Sequence, residues 1–286
     1  MRYQFIDDYR DHWPVRAMCR VLRVSPSGFY AWRGRPLSAQ AVRRGELAKK
    51  VHQIFKDHRR VYGSPRVHEQ LLADGDRCSV STVAKIMRDE GLQAKGSKRF
   101  KPITTDSKHD HPVAGNLLQR DFTATALNQK WVADITYIPT RMGWLYLAVV
   151  LDVFSRRVVG WSVADHMRAD LVCQALRMAI GKRKPAEGLI HHSDRGVQYA
   201  SGLYQDLLRV YGITCSMSRK GNCYDNAMME SFMGTLKVEL VHGSDWVDHD
   251  QAGQAVFEYI EAFYNRVRLH SSLGYKSPLD YERQAA

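Results

Sequence analysis

The N-terminal third of the chain alternates apolar and polar residues at helical spacing. Val15, Met18, Cys19 and Leu22 fall on one face of a helix, with Arg16, Arg20 and Arg23 on its other faces. Val24-Ser-Pro-Ser-Gly28 breaks that pattern, and Ser25 followed by Pro26 is a helix start, predicting a second short helix that carries Phe29, Tyr30 and Trp32. A second pair follows the same grammar. Gly63-Ser-Pro65 opens a helix running through Leu72, Gly75 marks a turn, Ser79 and Ser81 precede Val83-Ala-Lys-Ile-Met-Arg88, and Gly91 stops it. One or two helix-turn-helix units are therefore expected within residues 1–92. Periodicity is lost over 93–127, which is expected to be an extended linker.

Beyond the linker the period changes from helix to strand. Residues 131–138, 144–152 and 156–163 are rich in β-branched and aromatic side chains and separated by short breaks, as in a three-stranded meander. A helix over 169–183, a strand over 189–192, a helix over 201–211, a strand over 213–217 and a helix over 226–240 complete the pattern. Three strands followed by alternating helix and strand predict an α/β fold, a mixed sheet with flanking helices of the ribonuclease-H kind over 128–240. Residues 241–286 are expected to be a C-terminal helical extension of that core.

Charge divides the chain at the same place. Residues 1–100 hold 21 Lys and Arg against 10 Asp and Glu, whereas residues 101–286 hold 21 against 20. A basic segment joined to a near-neutral one suits a phosphate-binding module attached to a second domain, and Arg16, Arg20, Arg23, Lys85 and Arg88 are its candidate DNA contacts. The cysteines at 19, 78, 173, 215 and 223 are scattered and form no Cys-x-x-Cys pair, so a reducing compartment and no structural zinc are expected. The longest apolar run, Trp144 to Leu151, is too short to cross a membrane. A cytoplasmic location follows.

Three acidic residues carry the candidate chemistry. Asp134 lies in Trp131-Val-Ala-Asp-Ile-Thr-Tyr-Ile138, Asp194 in His191-His-Ser-Asp-Arg-Gly196, and Glu230 in Asn222-Cys-Tyr-Asp-Asn-Ala-Met-Met-Glu-Ser231. Carboxylate oxygens hold hard divalent cations, and phosphoryl transfer on nucleic acid uses a pair of them. An Asp in a strand between Ala133 and Ile135 is costly to bury unless it is paired or metal-bound. Asn226, Glu230 and Lys237 share one face of the predicted helix, which puts Lys237 in reach of a DNA phosphate. Asp152, in the second predicted strand, and Asp225, close before Glu230, are left out of the catalytic set. His191 and His192 are adjacent in a strand and point to opposite faces, so one is expected to be packed and the other near substrate. Arg266, Arg268, His270 and Tyr275 superficially match a tyrosine recombinase, but the cluster is too compact for that dispersed site. No Gly-x-x-x-x-Gly-Lys-Ser/Thr loop is present.

The chain resembles the DDE transposases of the retroviral-integrase superfamily, and within them the B-frame protein of bacterial insertion sequences of the insertion-sequence-three type. The motifs that carry the likeness are those three, with Leu151-Asp-Val-Phe-Ser-Arg156 and a tail of Tyr264-Asn265, Arg268, His270 and Leu273-Gly-Tyr-Lys-Ser-Pro278. The resemblance implies that Asp134, Asp194 and Glu230 are the catalytic triad and hold two Mg²⁺ or Mn²⁺ ions. It puts the basic residue of the motif at Lys237. It also implies strand cleavage at element ends and strand transfer to another phosphodiester, DNA partners in the form of terminal repeats and target, and a homo-oligomer on DNA. Location in a bacterial cytoplasm, with the nucleoid when DNA-bound, goes with it. Family members usually act as a frameshift fusion whose upstream part supplies a further helix-turn-helix and a coiled coil. This chain shows no sustained heptads, so an upstream partner or fusion is expected. A DNA-binding regulator with an inactive core and a metal nuclease without strand transfer are the alternatives.

Overall fold

The computed structural model describes residues 1–36, 38–96, 112–219 and 222–285. Two compact units make up the chain, residues 1–53 and 54–286. The first holds α1 (Arg2–Asp8), α2 (Val15–Val21), α3 (Pro26–Arg33) and the start of α4 (Ala39–Asp57). Ile6, Met18, Cys19 and Phe29 form its small core. The start of α3 is as the sequence predicts: Pro26 is at the first turn and the Ser25 hydroxyl accepts from the Gly28 N–H at 3.3 Å.

The second helical pair, α5 (Ser64–Ala73) and α6 (Val80–Asp89), belongs to the other unit. Ser79 caps α6 by accepting from the Thr82 N–H at 3.2 Å. Gly75 and Gly91 close the two helices with φ of +89° and +65°, a region that favours glycine. The compact units thus divide at residue 53, whereas the sequence reading ends the basic helical region at residue 92. The reason is a set of bonds 200 residues apart in sequence. Tyr62 Oη donates to the Val267 carbonyl at 3.2 Å and accepts from the Leu269 N–H at 2.9 Å, and Arg66 Nε donates to the Leu269 carbonyl at 2.9 Å. The expected linker is corrected. Its residues 97–111 lie outside the described residues, but 112–127 are docked: Leu118 is buried, and the Leu117 N–H donates to Ser216 Oγ at 2.9 Å.

The core of this unit is one five-stranded sheet. β1 (Lys130–Thr140), β2 (Gly143–Asp152) and β3 (Val158–Ala164) form the antiparallel meander, and β4 (Ile190–Ser193) and β5 (Thr214–Met217) add in parallel, giving the order β3-β2-β1-β4-β5. α7 (Ala169–Arg183) covers one face, packing Leu171, Leu176 and Ile180 against Trp131, Ala133 and Val150. It comes so close to β3 that a Cβ at Gly160 would lie 2.2 Å from the Ala175 carbonyl oxygen, so only glycine fits there. After the short α8 (Val197–Ala200) and α9 (Gly202–Val210), α10 (Ala227–Leu236) lies against β1.

The tail, α11 (His249–Phe257) and α12 (Pro278–Ala285), is part of this unit. Asn265 exchanges two 3.0 Å bonds with the backbone of Val158, and Glu282 receives Arg157 and Arg183. Three elements have no counterpart in the sequence reading: α1, α4 and α8. α4 is legible in retrospect, because Val51, Ile54 and Phe55 are buried and recur at helical spacing among its Lys and Arg.

Candidate active site

The sheet register brings the first two carboxylates together. β1 and β4 are parallel and their paired register ends with Val132 opposite His192; Asp134 and Asp194 each follow two residues later on the two chains. Adjacent strands lie about 4.8 Å apart. Trp131 and Ala133 point into the core beneath α7, and the two-residue period turns Asp134 to the other face, where α10 lies. Glu230, exposed on α10, adds the third acid. Asp134 lies within β1, and Asp194 directly follows the carboxyl end of the neighbouring parallel strand β4, a place in an α/β sheet where ligand sites commonly form.

Asp134 feels both of the other acids. Burial pushes the Asp134 carboxyl up to about 8, Asp194 and Glu230 push in the same direction, and the Ile135 N–H and Lys237 pull against them. The Ile135 N–H donates to Asp134 Oδ1 at 2.8 Å. Lys237 is half-buried, with Nζ 4.8 Å from the centre of the Tyr137 ring; burial lowers its pKa while Asp134 raises it. Asp194 Oδ1 accepts from the Gly196 N–H at 2.9 Å. A Cβ on Gly196 would stand 3.0 Å from that same oxygen, so this glycine, which the sequence reading passed over, lets the carboxylate sit close to the turn.

Several expectations need correction. Asn226 does not share an open face with Glu230 and Lys237. It ends a 3₁₀ turn, Cys223–Asn226, ahead of α10, and is buried, with Nδ2 donating to the Ala133 carbonyl at 3.1 Å. That bond anchors the start of α10 beside Asp134 and leaves the amide turned away from solvent. The predicted helix over 226–240 divides at Lys237, where a π-helical turn, Lys237–Val241, begins. His191 and His192 are both buried: Nε2 of His191 meets Tyr204 Oη at 3.0 Å, and His192 sits between the Ser216 and Ser218 hydroxyls. Neither is near a substrate surface. Arg16, Arg20 and Arg23 are exposed, as are Lys85 and Arg88 on α6.

The two excluded acids are structural. Asp152 is fully buried and accepts from the N–H groups of Asn128 and Phe154 and from Trp131 Nε1, with Arg183 at 3.6 Å. Asp225, also fully buried, accepts from Asn116, from Arg120 and three times from Arg219.

Oxygen donors alone suit a hard divalent cation, and a carboxylate burdened by like charges is relieved by one. Among the described residues no three such side chains stand in a preformed metal-binding group. Asp134, Asp194 and Glu230 fit a cation by donor type and by the like charge that Asp134 meets, although they are not gathered into a preformed site, and Glu230 is on the solvent side.

The chain matches known proteins along nearly its whole length. Models of the integrase core domain match residues 124–223 and 211–278, and a model of an HTH-like domain matches residues 43–100. Transposase InsF for insertion sequence IS3A of Escherichia coli (strain K12) is 45% identical over 286 residues, 99% of each chain. The transposase for insertion sequence element IS904 of Lactococcus lactis subsp. lactis (strain IL1403) is 46% identical over 246 residues, covering 86% of this chain and 97% of that one. Among solved structures, the HTLV-2 integrase catalytic core domain in complex with magnesium (trimeric form) is similar with a TM-score of 0.42 at 17% identity, over 56% of this chain and 99% of that one. With 45% identity along essentially its whole length, the chain belongs to the IS3 family of insertion-sequence transposases.

Proposed function

We propose that the protein cleaves DNA strands at the ends of an insertion sequence and joins them to another phosphodiester, in a reaction that depends on divalent cations held by Asp134, Asp194 and Glu230. The observation that carries this reading is that Asp134 is buried within reach of two further acids, Asp194 and Glu230, on the face of the sheet where α10 packs. Two Mg²⁺ or Mn²⁺ ions, when bound, supply activation of the attacking oxygen and stabilisation of the leaving one. The chain's own residues do the positioning. Adjacent parallel strands β1 and β4 lead to the two aspartates, Asn226 pins the start of the helix that carries Glu230, and Gly196 leaves room beside Asp194. Lys237 supplies positive charge beside Asp134 and is assigned to a DNA phosphate.

Contacts to element ends are assigned to Arg16, Arg20 and Arg23 and to Lys85 and Arg88. The chain is assigned to work in the cytoplasm as an oligomer on DNA, together with an upstream-frame partner or fusion. Strand-transfer gels with a labelled element-end duplex and Mg²⁺ or Mn²⁺ test the chemistry. Asp134→Asn and Glu230→Gln are each expected to lose nicking and joining by more than about a hundredfold, with DNA affinity nearly unchanged. Retained nicking in either variant contradicts the assignment. For the DNA contacts, replacing Arg16, Arg20 and Arg23 by Gln is expected to weaken binding and reduce its salt slope by roughly one unit per lost phosphate contact. An unchanged slope moves the contact surface elsewhere.

A further inference from the structure

On the flank of α10, one residue around the helix from Glu230, lies a cavity of about 120 Å³. α10 contributes Ser231 and Thr235, the turn after β2 contributes Arg156, α5 contributes Arg66, and the tail contributes Arg268 and His270. The wall is mostly polar and positive. Arg268 is already compensated: Nε lies 2.8 and 3.0 Å from the two oxygens of Glu239, Nη2 lies 2.7 Å from one of them, and Tyr259 Oη donates to the same carboxylate at 2.9 Å. Arg66 and Arg156 are not. Arg66 spends Nε on the Leu269 carbonyl and rests its guanidinium 5.8 Å from the centre of the Tyr62 ring, and among the described residues neither arginine forms an ion pair.

Two half-buried guanidinium groups thus face a cavity with hydroxyls at its rim and a single, already committed carboxylate behind it. His270, buried in the same wall, is pushed towards its neutral form first by burial and then by Arg268, Arg66 and Arg156, so it adds no positive charge to the cavity. Arginine forks with a hydroxyl donor beside them match a tetrahedral oxyanion.

We propose that this cavity is a binding site for a phosphate group of the DNA strand that passes Glu230, with Arg66 and Arg156 as its cationic ligands and Ser231 as a hydroxyl donor, the Thr235 hydroxyl being donated to the Ser231 carbonyl at 2.9 Å. The inference rests on the strand-transfer reading and deepens it by naming a subsite. It explains why the tail is folded back onto α5. The bonds of Tyr62 and Arg66 to residues 267–269 bring a cation from the helical pair to the side of the helix that carries Glu230.

The test uses the full chain, without divalent cations so that no chemistry enters. Anisotropy titrations of an element-end duplex are made from about 50 to about 200 mM salt. Arg156→Gln is expected to weaken binding by about tenfold and to lower the salt slope by about one. Ser272→Asp, which sets a negative charge at the exposed edge of the cavity, is expected to weaken binding likewise, and Arg156→Lys to keep most of it. Inorganic phosphate should raise the melting temperature of the wild type and not that of Arg156→Gln. Unchanged affinity and slope in both Arg156→Gln and Ser272→Asp overturn the proposal. Phosphate protection combined with unchanged DNA binding also overturns it, leaving a site for small free anions. Failure of the strand-transfer gels with Arg156-dependent binding intact defeats the catalytic reading alone.

Discussion

Two acidic regions of the same sheet make opposite use of burial. At the edge by β5, Asp225 is fully buried and receives five hydrogen-bond donors from Asn116, Arg120 and Arg219, which hold its carboxyl well below the usual range. Within β1, beside the end of β4, Asp134 takes its neighbour's N–H, stands among acids, and is pushed up to about 8 by burial and by Asp194. Burial of a carboxylate is therefore not the mark of a reacting site. The mark is burial among like charges, an arrangement that costs stability and is relieved by a cation.

Exchanging each carboxylate for its amide breaks the comparison most sharply. Asp134→Asn should lose more than about a hundredfold in strand transfer without losing stability. Asp225→Asn should lower stability by about 2 kcal/mol, because donors arranged for a carboxylate then meet an amide. The value stays below that of a fully buried pair because the side chains of Arg219 and Arg120 are 56% and 49% exposed. Chemical denaturation and strand-transfer rates on both variants check this. A destabilised Asp134→Asn would erase the distinction.

A smaller effect is expected from Gly196→Ala. The added methyl lies 3.0 Å from Asp194 Oδ1, so the carboxylate must shift by a few tenths of an ångström. Activity should fall by about tenfold with little change in melting temperature, since misplacement of a reacting group costs rate before it costs stability. Unchanged rates would show that the position of Asp194 is not critical.

The dependence on pH sharpens the contrast further. Asp225 has a depressed pKa in the fold, so its stabilisation is present above the unfolded value of about 3.9 and is lost as pH falls through the folded value. Asp134 has a raised pKa, so its contribution is intact below about 3.9 and is lost as pH rises through about 8. In metal-free buffer the melting temperature of Asp134→Asn relative to wild type should start near zero at acid pH, climb across that window and level off above it. The deficit of Asp225→Asn should be present at neutral pH and vanish in acid. Parallel curves for the two variants would refute both assignments.

Much of this was legible in the sequence because it is local. The two-residue period of Trp131 to Ile138, the Ser25-Pro26 start of α3 and Gly91 at the end of α6 are each written within a few residues. The three acids were legible as motifs. Their convergence was not, since it depends on a parallel register joining residues 60 apart in the chain, Val132 with His192. Long-range partners also hid the unit boundary, which Tyr62 and Arg66 set by reaching residues 267–269, and the role of Asp225, whose donors come from as far back as Asn116. Asn226 was placed on the helix face because the helix was started one residue early, at 226 rather than Ala227. A 3₁₀ turn occupies that place and swings the amide inward to β1.

The central claim, that Asp134, Asp194 and Glu230 form one cation-binding set, is tested most directly by melting the wild type, Asp134→Asn and Asp225→Asn with and without Mn²⁺. The account predicts that Mn²⁺ raises the melting temperature of the wild type and of Asp225→Asn by similar amounts and leaves Asp134→Asn unmoved. An equal Mn²⁺ shift in all three proteins would place the cation elsewhere and contradict it.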